Sequence, residues 1–128
     1  MIDDDPVHHV IMRYILAKVP TEIKTNYYFN AKLALNLLTE LKDEPEDLPD
    51  IIFLDLDMSI MDGFNFLDRY EVLKPSIQKK IDIYILSSST DIDERSRAEH
   101  YPSVKGYIVK PIIQQVVNEI IDTTLCKT

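Results

Sequence analysis

The run Ile51-Ile52-Phe53-Leu54 leads straight into Asp55. Four successive apolar residues ending on an acid read as a strand buried on both faces, with a polar group at its C-terminal end. Such a strand needs helices above and below it, which restricts the chain to a layered α/β architecture. In open parallel sheets, ligands and chemistry gather beyond the carboxyl ends of the strands. Asp55 either only closes a strand or belongs to a site there, and the flanking segments decide which.

They supply the alternation that a parallel sheet requires. Met1-Ile2 runs into Asp3-Asp4-Asp5, and Asp5 is placed to cap a helix opened by Pro6. Val7, Val10, Ile11, Tyr14 and Ile15 give that helix one apolar face, and Pro20 ends it. Glu22–Phe29 is expected as a polar, edge-type strand, with Tyr27-Tyr28-Phe29 in its packing. Asn30 caps a second helix striped by Ala34, Leu37, Leu38 and Leu41. The loop Asp43–Asp50 holds two prolines and five acids. After the strand Ile51–Leu54 and a loop, Gly63 opens a third helix with Phe66, Leu67 and Tyr70 inward. Ile81–Leu86 is the next strand, Asp91–His100 a short charged helix with a solvated face, and Gly106–Val109 the last strand. Ile113, Val116, Val117, Ile120 and Ile121 stripe the closing helix. Strand then helix, five times over, predicts a doubly wound five-stranded parallel sheet with helices on both faces.

The chain of 128 residues, 45% of them hydrophobic, suits a single domain with one sizeable core. That domain is expected to span 1–128, with a truncated first strand at Met1-Ile2 and no output domain after the closing helix. No apolar run reaches the ~20 residues of a membrane span, and acids arrive too early for a signal peptide. Cys126 is the only cysteine, so no internal disulfide forms, and a reducing cytoplasm is the default. A formal charge of −8 repels phosphate backbones and argues against direct nucleic-acid binding.

The polar residues beyond the strands share one edge: Asp3 and Asp4, Asp55, Ser87 and Lys110. Two carboxylates ~4 Å apart repel by about 4 kcal/mol at an effective dielectric of ~20. A hard divalent cation with oxygen ligands, Mg²⁺ above all, resolves that repulsion and shares its shell with phosphate oxygens. One carboxylate is then free to attack phosphorus, with the metal and Lys110 neutralising the transferred group and Ser87 hydrogen-bonding it. The product is an aspartyl phosphate at Asp55.

Asp3-Asp4, Phe53-Leu54-Asp55 through Met61-Asp62-Gly63, Ile85-Leu86-Ser87-Ser88 and Gly106-Tyr107-Ile108-Val109-Lys110-Pro111 occur in that order along nearly the whole chain. With them the sequence resembles a response-regulator receiver domain of the CheY-like kind. The resemblance implies the flavodoxin-like strand order 2-1-3-4-5, Asp55 as phosphoacceptor, and Mg²⁺ held by Asp3, Asp4, Asp55 and the backbone carbonyl of Asp57. It makes Ser87 and Tyr107 the switch pair, Lys110 the phosphate-facing lysine, and Lys110-Pro111 a candidate cis peptide. It implies a signalling switch rather than a turnover enzyme. The phosphodonor is a sensor histidine kinase or histidine phosphotransfer protein, and the output goes to an unidentified downstream protein. The fourth helix, fifth strand and fifth helix offer a surface for a homodimer. Ser59 stands where the family often has proline, and Asp57 and Ser89 where it tunes dephosphorylation.

Two other readings stay open. Asp55-Leu56-Asp57 after an apolar strand also resembles the nucleophile motif of haloacid-dehalogenase-type phosphatases, although their acidic pair comes late in the chain. A pseudo-receiver would keep the fold as a binding module without phosphorylation. His8-His9 are expected on an exposed helix face, because no further ligand has metal-site spacing.

Overall fold

The computed structural model describes residues 1–58 and 61–125. Ser59 and Cys126 lie outside the described residues. Three parallel strands form the sheet in the order β1 (Ile51–Asp55), β2 (Asp82–Ser87), β3 (Val104–Val109). Among the described residues, five helices surround it: α1 (Pro6–Ala17), α2 (Ala31–Glu40), α3 (Gly63–Leu73), α4 (Ile92–Glu99) and α5 (Gln114–Leu125). A 3-10 turn at Lys74–Ser76 follows α3 around Pro75.

Alternation along the strands divides the interior into two layers. Ile52, Leu54, Ile83 and Ile85 face α2, α3 and α4, which contribute Ala34, Leu38, Phe66, Leu67, Tyr70 and Ala98. Phe53 and Leu86 face α1 and α5, which contribute Met12, Ile15, Val117, Ile120 and Ile121. Helices therefore cover both faces of the sheet, as the apolar runs of β1 and β2 demand. The helix starts are also as expected. Asp5, Asn30, Asp62 and Asp91 each accept a hydrogen bond from a first-turn backbone N–H.

Two expectations change at the sheet's outer side. Glu22–Phe29 forms no ladder; it touches the sheet at a single parallel bridge, Tyr28 to Ile2, and Ile2 in turn bridges Leu54. The acidic run begins at Asp3, straight after the bridging Ile2, and the bridge does not extend into a ladder. The bridge is nonetheless firmly tied. Ile2 N–H donates to Phe53 O at 2.8 Å, and Asp55 N–H returns to Ile2 O at 2.9 Å. Asp3 N–H donates to Tyr28 O at 3.0 Å, and Tyr28 N–H to Met1 O at 2.9 Å. β3 is longer than expected, beginning at Val104.

Helix α1 is rotated from its expected register. Val7, Val10, Ile11 and Tyr14 point to solvent, while His9, Met12 and Ile15 are buried. Residues 9, 12, 15 and 16 form a second helical stripe, hidden in the sequence because a histidine heads it. That histidine is held by Nε2, 2.6 Å from Asp3 O, and by a ring stack on Phe29 at 4.5 Å. The His8-His9 expectation is corrected as well: His9 is buried and His8 half-buried.

Candidate phosphoacceptor site

The strand ends bring Asp3, Asp55, Ser87 and Lys110 to one edge. Asp55 closes β1 and Ser87 closes β2, both buried, and their backbones are stitched in sequence. Leu56 N–H donates to Leu86 O at 3.1 Å, and Lys110 N–H to Ser87 O at 2.8 Å. Asp3 is fully buried beside them. Lys110 Nζ lies 3.1 Å from Asp55 Oδ1 and 3.7 Å from Asp3 Oδ2. The Lys110–Pro111 peptide is cis. A cavity of about 510 Å³ opens over this edge, lined among others by Asp4, His8, Asp55, Asp57, Ser88 and Lys110.

Burial pushes the Asp55 carboxyl up from its ordinary range. The Asp57 N–H, which donates to Asp55 Oδ1 at 2.9 Å, pulls it back. The neighbouring Asp3 raises it again, and the Lys110 ammonium lowers it. The balance is a carboxylate short of positive charge.

Asp4 and Asp57 line the cavity as exposed residues. The side chain of Asp57 is engaged by Ser88, whose hydroxyl donates to Oδ2 at 3.2 Å. Ser87 does not face Asp55 through a hydrogen bond; its hydroxyl donates to Glu94 Oε1 at 2.6 Å. Tyr107 is buried and its hydroxyl donates to the same oxygen at 2.7 Å.

Two residues escaped the sequence reading. His8 sits in the first turn of α1, with Nδ1 2.8 Å from Asp3 Oδ2 and 3.2 Å from Lys110 Nζ. Glu94 sits in the first turn of α4, in a charged segment expected to present a solvated face. Both occupy helix starts that follow strand-end loops, where a first turn overhangs the edge of the sheet. That position was the available signal; residue type and apolar spacing were not.

Asp3, His8 and Asp55 each bring a ligand atom within 4.8 Å of the other two. The donor set fits a divalent cation. Two buried carboxylates suit a hard ion, and an imidazole nitrogen is accepted by first-row divalent metals. A local conflict also points that way. A ring nitrogen that accepts from Lys110 cannot donate to Asp3, and one that donates to Asp3 faces the ammonium with a proton.

The profile of the response regulator receiver domain matches residues 1–122. The chain belongs to the response regulator receiver family. This receiver is similar in structure to a two-component response regulator from Cytophaga hutchinsonii, with a TM-score of 0.86 and 25% identity over 98% of this chain and 94% of that one. A response regulator receiver protein from Dyadobacter fermentans gives a TM-score of 0.78 at 25% identity, covering 95% and 92% of the two chains. The phosphorylated cyanobacterial phytochrome response regulator RcpA shares the fold, with a TM-score of 0.75 at 21% identity over 99% and 93%. No curated protein matches the sequence. The receiver is a CheY-like α/β domain of two-component signalling. No helix among its described residues is long and apolar enough to cross a membrane.

Proposed function

We propose that this receiver accepts a phosphoryl group from a phosphohistidine onto Asp55 and relays the change to its surface. The observation that carries the reading is the convergence of buried Asp3 and Asp55 on one ammonium, Lys110 Nζ, under an open cavity. In the reaction an Asp55 carboxylate oxygen attacks phosphorus as the phosphorus–nitrogen bond to the donor imidazole breaks. Lys110 follows the charge onto the phosphoryl oxygens, and Ser87 turns its hydroxyl toward them. Asp3, Asp4, Asp55, the Asp57 carbonyl and His8 would hold Mg²⁺ or a similar divalent ion. When bound, that ion neutralises the acidic cluster and screens the incoming phosphate.

Asp55 modification adds roughly −1.5 to −2 charge and biases an existing equilibrium of Ser87 and Tyr107. Donor docking is supported by the outer face of α1, where Val7, Val10, Ile11 and Tyr14 are exposed and Ile11 also lines the cavity. A sensor histidine kinase or a phosphotransfer protein with an apolar helical surface fits there. Ile92 of α4, Val109 of β3 and Ile113 just before α5 are exposed apolar residues for a downstream protein or a second copy. The Ile2 and Tyr28 bridges are read as stubs of two further strands, giving the order 2-1-3-4-5 in one domain with a cytoplasmic role. Neither the phosphatase nor the pseudo-receiver reading gains a specific observation.

The test is labelling with acetyl phosphate and a divalent cation. Wild type should carry one base- and hydroxylamine-labile phosphate, and Asp55→Asn none. Equal labelling of that variant would sink the assignment.

A further inference from the structure

We propose that Glu94 is an internal competitor for the phosphoryl group: it ties Ser87 and Tyr107 to α4 and must release Ser87 before Asp55 phosphorylation can be read. The proposal rests on the receiver reading and names a regulator of that same site.

Ser87 is fully buried at the end of β2. Its hydroxyl has one hydrogen, and that hydrogen is committed to Glu94 Oε1 at 2.6 Å. Bonds to an ionised acceptor are short and about twice as strong as neutral ones. A phosphoryl oxygen on Asp55 can engage the same hydrogen only if Glu94 gives it up. The Tyr107 hydroxyl reaches the same carboxylate oxygen at 2.7 Å, with Ser89 O a longer 3.3 Å away. Ser89 N–H donates to Ser87 Oγ at 3.1 Å, which fixes the serine's orientation from the other side.

Glu94 has no competing cation among the described residues. Its neighbour Arg95 is paired with Glu99 at 3.0 Å and lies over the Tyr107 ring. The two hydroxyls are therefore the donors the structure shows for Glu94. Losing Ser87 leaves a half-buried carboxylate with Tyr107 alone, and the carboxylate recovers hydration by moving outward. Glu94 belongs to the first turn of α4, so that movement displaces the helix start. One side chain thus sets a threshold for the switch and couples it to α4. It acts through Ser87 and is a positioning residue.

The experiment is a fluorine NMR titration of the whole chain with beryllofluoride and Mg²⁺. Glu94→Ala should bind about tenfold more tightly than wild type, the effect of removing one competing charged hydrogen bond. In a Ser87→Ala background, Glu94→Ala should change nothing. Glu94→Gln, which keeps shape and a weaker acceptor, should give a smaller gain and carries the test if the alanine variant unfolds. A shift of the Tyr107 ring resonances in unliganded Glu94→Gln is also expected. Affinity unchanged or weakened in both Glu94 variants overturns the proposal, as does a gain that survives Ser87→Ala. Failure of wild type itself to bind beryllofluoride, with no labelling of Asp55, overturns the receiver reading and this proposal together.

Discussion

Asp55 holds its charge where water is scarce, and the sign of that cost is testable. Its carboxyl is raised chiefly by burial and secondarily by Asp3. The folded state therefore keeps a proton that the unfolded chain has already lost. The contribution of Asp55 to stability is greatest below the ordinary aspartate range and is lost as pH rises through the window between the ordinary and the raised value. Without divalent cations, chemical denaturation from pH 4 to pH 8 should show this decline, and Asp55→Asn should flatten it. Relative to wild type, the variant should fare better near pH 7 than near pH 4, because it lacks the carboxyl whose ionisation burial disfavours. A steeper decline in Asp55→Asn would mean that another group controls the slope. At this scale the sequence was informative where a polar residue ends an apolar run, as at Asp55, Ser87 and Lys110. It was silent on His8 and Glu94, because a first-turn helical residue meets the strand ends only once the helix has docked.

Gly63 shows how an element is fixed to the site. It is the first residue of α3, capped by Asp62, and it lies against the chain leaving β1. A Cβ there would stand 2.5 Å from Leu56 Cδ2, 2.9 Å from Leu56 Cα and 3.0 Å from Asp55 O. Two of those neighbours are backbone and cannot yield cheaply. Gly63→Ala should cost roughly 1–3 kcal/mol, as overpacking does, and should slow acetyl phosphate labelling because Asp55 moves with the loop. Normal stability and labelling would show that α3 docks more loosely than its spacing indicates. Elements with unbroken periodicity, such as α3 and β1, could be read from residue type alone. Helix α1 could not, because it carries apolar residues on two sides. His9 decides between them by bonding Asp3 O and stacking on Phe29, contacts that join segments far apart in sequence. Tyr28 likewise pairs only where Ile2 reaches it.

For the whole molecule, the rotation of α1 places an apolar face outside, and one of its residues, Ile11, lines the cavity over Asp55. Val10→Lys with Tyr14→Lys should leave labelling by acetyl phosphate unchanged. The same pair should cut transfer at least about tenfold from a histidine phosphotransfer protein that labels wild type, as loss of interface anchors does. Equal loss with both donors would point to damage of the site instead. The layered fold was legible from the alternation of apolar runs, whereas which helix face turns inward depends on contacts made after assembly.

The sheet also divides the interior unequally. The layer under α2, α3 and α4 includes Phe66, Leu67 and Tyr70, all essentially without exposure, whereas the layer under α1 and α5 is built from fewer buried residues. Local opening draws on the layer with the least buried contact. The amides of α1 and α5 should therefore exchange with deuterium ahead of those in α3, and a bound divalent cation should slow α1 more than α4. His8 and His9 ride on the thinner layer, while Glu94 and Tyr107 ride on the thicker one. A transient breach on the α1 side would unmake the cation's cradle and leave the Ser87–Glu94–Tyr107 tie closed, so the domain would lose its capacity to be charged before it lost its resting shape.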